Sequence, residues 1–318
     1  MKTISLFDYE PAKITSKARF FKQIEPYLYI AEWCAIIAPF YHADSKSGGR
    51  PPKDLEIMVR TLLVQNFFSL SDEMTEDSLV DVNSIREFVG ITPANEGDRP
   101  DKSTICRFRN LLVEHDLQQK IFGQVIAALS AKGLIMRKGA IVDSAIIESP
   151  ASKRNADKAC DPQSGWTKKA GTYRHGFKAH IGADADSGLV TEVVTTAANV
   201  HDVTVANDLI SGEEEAVYGD SGYLGIENRR NSLAKRKYHI MRRRSSVKKL
   251  PTTEQERIRR EEQAKASVRA KVEHCFATVK RLFGWRRTTY RGLSKNAAKL
   301  NLVFALANIW KISRICPA

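Results

Sequence analysis

The sequence predicts an α/β chain in which a mixed sheet flanked by helices follows a smaller all-α N-terminal region. Three observations predict it. Residues 1 to about 135 carry apolar side chains at three- and four-residue spacing, the period of a helix with one buried face. From about 138 that period gives way to short apolar runs bounded by turn signals. The later order of hairpin, helix, strand, helix, strand and long helix suits one sheet covered by helices. We therefore divide the 318 residues into a helical region, 1–135, and an α/β region, 136–318.

In chain order, Phe20, Phe21, Ile24, Leu28 and Ile30 open the helical pattern. Ser47-Gly-Gly-Arg-Pro-Pro52 breaks it, and Leu55, Met58, Val59, Leu62 and Leu63 then share one helix face. Asp54 and Glu56 sit near that helix start, where negative charge suits the dipole. Ser71 is placed to cap the next helix, which carries Met74, Leu79 and Val82. After the polar stretch 92–100, Ser103 is expected to cap a helix through Ile105, Phe108, Leu111 and Leu112. Residues 140–147 predict a buried strand. Runs 178–183 and 189–195 flank the turn-rich Asp184-Ala-Asp-Ser-Gly188 and predict a hairpin. Residues 202–210 predict a helix, 216–220 a strand, 224–234 a helix and 238–241 a short strand. A long helix follows through Glu273. The apolar run 300–312 is a core helix and no membrane span, because Asn301, Asn308 and Lys311 interrupt it. Trp285 and Trp310 are expected in the core.

A hydrophobic fraction of 42% supports a folded core, and a formal net charge of +13 points to nucleic acid or another polyanion. The five cysteines are scattered and form no CxxC pair, which argues against a zinc site or a disulfide framework and fits a reducing cytoplasm. The N-terminus lacks the long apolar core of a signal peptide.

Three carboxylates stand out against this basic background. Asp143 lies inside the apolar run Ala140-Ile-Val-Asp143-Ser-Ala-Ile-Ile147, and Asp220 ends Ala216-Val-Tyr-Gly-Asp220. Strands rarely bury an Asp without a partner or a metal. Glu273 lies in the basic helical stretch Arg269-Ala-Lys-Val-Glu273-His-Cys-Phe-Ala-Thr-Val-Lys280, where it could serve only as a salt-bridge partner. Taken together the three suit Mg²⁺ held against a nucleic-acid phosphate, because Mg²⁺ takes carboxylate and phosphate oxygens and keeps several waters. Two ions roughly 3.5–4 Å apart would activate a water or 3′-hydroxyl and neutralise charge on phosphorus. Mn²⁺ is expected to substitute. Arg269 and Lys280 would grip phosphates beside the metals. His175, His180, His201, Asp202 and Asp220 superficially suggest a His-Asp metal hydrolase. The strand-like setting of His175 and His180 and the capping character of Asp202 disfavour it.

Basic residues recur between Arg229 and Arg291, including Arg242-Arg243-Arg244, and predict a DNA-facing surface with a basic insertion around 229–260. Arg107 and Arg109 project from the 103–112 helix, which suits either a recognition helix or ordinary packing. Arg50, between Gly49 and Pro51, suits either a minor-groove hook or a linker. Trp166, followed by Lys168 and Lys169, is read as lying in a polar loop. There it would stack on an unpaired base or anchor the loop.

These residues resemble the DDE class of bacterial insertion-sequence transposases, most closely the insertion sequence 5 family. The likeness rests on Gly49-Arg-Pro-Pro52, Leu70-Ser-Asp72, Ile85-Arg-Glu-Phe88, Ser103-Thr-Ile-Cys-Arg-Phe-Arg109, Ile141-Val-Asp143-Ser, Lys178-Ala-His180-Ile-Gly-Ala-Asp184, Asn199-Val-His201-Asp202, Tyr218-Gly-Asp220-Ser-Gly-Tyr223 and Arg269-x3-Glu273-x6-Lys280, which span nearly the whole chain. The signature usually has a Tyr three residues before the Arg, and here that position is Ala266. The resemblance implies a ribonuclease H-like fold, catalytic Asp143, Asp220 and Glu273, Mg²⁺ dependence, and recognition of terminal inverted repeats and target DNA. It also implies a homodimer or higher multimer on double-stranded DNA, working in the bacterial cytoplasm at the nucleoid. A structure-specific nuclease of the same fold and a non-catalytic DNA-binding regulator remain the alternatives.

Overall fold

The computed structural model describes residues 14–41, 52–152, 159–169, 171–229, 235–248 and 250–316, with the backbone alone at Arg244. Its described residues form two compact units. One takes residues up to Gln65, Leu70–Arg107 and the chain from Ile312; the other takes Asn66–Ser69 and Phe108–Lys311.

The first unit is helical. Helix α1 (Ser16–Ile24) starts at Thr15, whose hydroxyl accepts the Ala18 N–H at 3.1 Å. Pro26 then forces a 3₁₀ turn, Glu25–Tyr27, so the early apolar pattern is split between α1 and α2 (Ile30–Tyr41). Phe21 stacks on Phe88 of α5 (Asn83–Val89) with ring centroids 4.1 Å apart. Helix α3 (Leu55–Phe67) is capped by Asp54, which accepts the Ile57 N–H at 3.0 Å; Asp54 therefore does more than complement a dipole. Ser71 caps α4 (Asp72–Asp81) as expected, accepting from Met74 N–H. Met74 itself is exposed, while Leu79 from the same predicted face is buried. Helix α6 (Lys102–Glu114) is capped by Asp101, not Ser103: Asp101 Oδ1 takes the Thr104 N–H at 2.7 Å. A carboxylate at that position outcompetes the hydroxyl two residues on because it meets the first free N–H groups and the helix dipole together.

In the second unit, helix α7 (Leu117–Ala131) precedes the sheet. Strands β1 (Gly139–Glu148), β2 (Gly165–Lys169), β3 (Thr172–Asp184), β4 (Val190–Ala197), β5 (Ala216–Gly219) and β6 (Lys237–Ile240) form one mixed sheet. Its order is β2-β3-β1-β5-β6, with β4 also on β3. β1 pairs antiparallel with β3 and parallel with β5, and β5 pairs parallel with β6. This is the ribonuclease H-like mixed sheet that the resemblance implies. The predicted hairpin is present as β3–β4. Its connection is held by Asp184, whose two oxygens accept from the backbone of Met136, Arg137 and Ser187 and from the Ser187 hydroxyl.

Three predicted elements differ. Residues 202–210 form two 3₁₀ turns, Asp202–Thr204 and Ala206–Leu209, instead of a helix. The turns press close to the sheet: a Cβ on Gly182 of β3 would lie 2.0 Å from the Leu209 carbonyl oxygen. The predicted 224–234 helix is a 3₁₀ turn at Ile226–Asn228, and residues 230–234 lie outside the described set. Trp166 is on strand β2, not in a loop, because residues 165–169 pair with 172–176.

Helix α8 (Arg244–Val247) leads to α9 (Thr252–Ala277), which continues into a π-helical turn, Thr278–Leu282, and α10 (Leu293–Ile315) closes the chain. The stretch around 229–260 therefore contains β6, α8 and the opening turns of α9. Trp285 is buried as expected, whereas Trp310 is only half-buried.

Candidate functional site

Parallel register assembles the site. β1 and β5 pair Ile141 with Tyr218, so two residues further along both strands Asp143 faces Asp220. Asp143 is held on a central strand between β3 and β5, with Ile181 as its β3 partner. Asp220 stands where β5 ends, and its Oδ1 accepts the Gly222 N–H at 2.8 Å, starting the 3₁₀ turn Ser221–Tyr223. Asp220 thus caps the turn with one oxygen, and its second oxygen stays available.

Burial raises the Asp143 carboxyl above the ordinary carboxylate range. The Arg269 guanidinium and the Ser144 N–H pull it back down, while the neighbouring Asp220 charge pushes it up further. Arg269 reaches from α9, its Nη2 3.3 Å from Asp143 Oδ2, and both side chains are nearly covered at 15% and 16% exposed. Its Nη1 meets the Met241 sulfur at 3.2 Å, a weak acceptor, and its Nε is buried without a hydrogen-bond partner.

Behind the aspartate pair lies a polar network that sequence reasoning missed. Lys178 Nζ donates to Asp202 Oδ1 at 2.9 Å and to the Val200 carbonyl at 2.7 Å. His180 is fully buried, with Nε2 2.8 Å from Thr196 Oγ1 and Nδ1 3.7 Å from Asp202 Oδ1. Asp202 is therefore an ion-pair partner and not the helix cap expected of it. Its other oxygen faces Gly222, where an added Cβ would lie 3.5 Å from it and 2.9 Å from Asp220 Oδ1. Tyr223 is buried with its hydroxyl toward Asp202, Asp143 and Asp220, and burial with those charges holds its pKa well above the usual phenol value. The available signal was the alternation of Lys178 and His180, which puts both on one face of a strand.

Glu273 lies one turn beyond Arg269 on α9 and is exposed. Among the described residues no group of three His, Cys, Asp or Glu side chains is close enough to hold a metal ion. Thus Asp143 and Asp220 are brought together, and Glu273 stands outside the pair. Lys280 lies in the π turn with Nζ 2.9 Å from the Ile146 carbonyl, and burial, with Lys169 and Arg174 nearby, lowers its pKa.

Lys168, Lys169, Arg107, Arg242 and Arg243 are exposed. Arg109 instead packs over the Tyr290 ring, 4.4 Å from its centroid. Arg50 lies outside the described residues, as does the side chain of Arg244.

The aspartate pair offers only carboxylate oxygens, a hard donor set, and its mutual repulsion is relieved by added positive charge. It fits Mg²⁺ or Mn²⁺, which one or two carboxylates plus waters and substrate phosphate can hold. Among the described residues no helix is long and apolar enough to cross a membrane.

Residues 136–309 match the family model described as a transposase DDE domain, and residues 10–111 match the one described as a transposase domain (DUF772). No solved structure matches the chain.

Proposed function

The chain belongs to the transposase DDE domain family, and from that premise we propose that it is an insertion-sequence transposase of the insertion sequence 5 type. In this reading it cuts DNA at the element's terminal inverted repeats and joins the freed 3′-hydroxyl ends to target DNA. The observation that carries it is the register-matched, half-buried pair of Asp143, within β1 and beside Arg269, and Asp220, just past the end of β5.

Asp143 and Asp220 would hold the divalent ions, and Glu273 from α9 would supply the third carboxylate. Bound there, two Mg²⁺ ions would activate a water or 3′-hydroxyl and offset charge building on the phosphate. Asp143 sits on a rigid central strand, so its oxygen position is set by the sheet. Arg269, half-satisfied on a thioether, has donor capacity for a DNA phosphate, and Lys280 lies on the same helical run to hold a second. Lys168, Lys169, Trp166, Arg242, Arg243 and Arg244 extend the DNA surface, and Arg50, Arg107 and Arg109 serve the end-binding region, residues 1–135. A homodimer or higher multimer holds both ends, in the bacterial cytoplasm at the nucleoid.

The exposed position of Glu273 favours one rival, a DNA-binding regulator that has kept the fold without the chemistry. A labelled duplex carrying the element's own end separates the two. Wild type is expected to make a nick with a 3′-hydroxyl in Mg²⁺ and none in EDTA, with cutting lost in Glu273→Gln and Asp143→Asn. Joining of that end to a second DNA separates a transposase from a nuclease. End binding with no cutting in Mg²⁺ or Mn²⁺ would leave the regulator.

A further inference from the structure

Strand β3 outruns its neighbour. Its pairing with β1 ends at Glu148–Gly176, while β2 continues to pair with it from Gly176 back to Thr172. Residues 165–169 and 172–175 therefore make a two-stranded arm standing beyond the edge of β1. Strand alternation puts Trp166, Lys168, Tyr173 and His175 on one face of it, and that face continues through Phe177 and Ala179 to Ile181, the partner of Asp143. The arm's aromatic face is thus the face on which Asp143 lies.

Two large aromatics on this face are open to solvent, Trp166 at 54% and Tyr173 at 67% exposure. Neither is loose. The Trp166 ring rests on His175, centroids 4.9 Å apart, and His175 is itself held by the Ser164 hydroxyl at 2.7 Å and the Ser149 carbonyl at 3.3 Å. Lys168 Nζ lies 5.3 Å from the centroid of the Tyr173 ring. Lys169 and Arg174 flank the pair, and the Lys169 charge is near enough to act on both Asp143 and Lys280. Arg174 is braced by Glu148 at 2.7 Å. Lysines alone would suit an edge strand that must resist pairing with another chain. Edge protection does not call for two braced, exposed rings on one face.

We propose that the β2–β3 arm is a stacking platform for unpaired nucleotides of the DNA next to the reacting phosphate. Trp166 and Tyr173 take base faces, Lys168 on the same face takes an adjoining phosphate, and Lys169 and Arg174 on the arm's other face add positive charge to it. Every base has a π face, so such a platform reads strand separation and not sequence. The proposal rests on the transposase reading for its location, and it names the form of DNA that site takes: an end whose strands have parted.

The test uses the full chain and fluorescence anisotropy on four DNAs: the paired element end, the same end with a few unpaired nucleotides at the boundary, a random single strand and a random duplex. Wild type is expected to bind the frayed end roughly tenfold tighter than the paired one. Trp166→Ala and Tyr173→Ala should each lose most of that preference, while Trp166→Phe keeps it. Equal affinity of wild type for frayed and paired ends, or alanine variants that keep the preference, would overturn the proposal. If neither end is preferred over random duplex, the end-recognition reading fails separately. The arm is then judged by whether wild type prefers the random single strand to random duplex and the alanine variants do not.

Discussion

His180 is a histidine that the fold keeps neutral. Burial lowers its pKa from 6.5 to about 4, against the pull of Asp202 at 3.7 Å and with the help of Lys178. The unfolded chain takes up a proton near pH 6.5, whereas the folded chain resists until about pH 4. Stability is therefore fully present above pH 6.5, falls as pH drops through the window to 4, and levels off below it. A shift of that size corresponds to about 3 kcal/mol. Urea unfolding at a series of pH values is expected to show His180→Gln losing less stability than wild type across that window. Parallel pH curves would contradict the burial argument. At the same scale, Arg269 keeps donor capacity beyond its contacts with Asp143 and a thioether, beside the aspartate pair, so Arg269→Gln is expected to weaken DNA binding in an anisotropy titration more than Arg107→Gln does.

At the scale of elements, close approach decides shapes that local preference does not. The 202–210 segment has a helical sequence pattern, yet it winds as two 3₁₀ turns against β3, and Gly182 is what lets it come so near. Gly182→Ala forces a Cβ to within 2.0 Å of the Leu209 carbonyl oxygen, which must move. The expected cost is about 1–3 kcal/mol, measured by chemical denaturation. A neutral result would mean that the 206–209 turn can retreat freely, and that Asp202 is not held in place by it. The π turn after α9 has a similar character. One extra residue in the turn re-aims Lys280 onto the end of β1, and such turns are frequent at functional sites.

Across the whole molecule, the net charge of +13 makes binding to DNA strongly dependent on salt. The logarithm of affinity is expected to fall linearly with the logarithm of salt concentration, by roughly 0.9 for each phosphate contacted. Replacing Arg242 and Arg243 together by Gln should make that slope shallower by about two and weaken all DNA sequences alike. An unchanged slope would move the DNA path away from the segment between β6 and α8. The same charge also explains why two aspartates so close together are tolerated: Arg269, and at longer range Lys169, offset them inside the fold.

Period and composition alone determined much of this protein. The switch from helical to strand pattern near 138, the hairpin around Asp184–Gly188, and the aspartate set inside the apolar strand run 140–147 are local properties, since side-chain spacing follows directly from backbone geometry. The family resemblance was legible because its motifs are short strings of residues. What only the tertiary structure decided is which of those residues meet. Parallel register put Asp143 beside Asp220 and left Glu273 on the solvent side of its helix turn. Packing of the 202–204 turn on β3 joined Lys178, Asp202 and His180 into one network, and antiparallel pairing with β3 made the Trp166 segment a strand. Contacts such as Asp143 with Asp220 and Lys178 with Asp202 lie tens of residues apart in the chain, so no local pattern encodes them. They arise only when strand pairing and close packing select one arrangement from many compatible with the same periodicity.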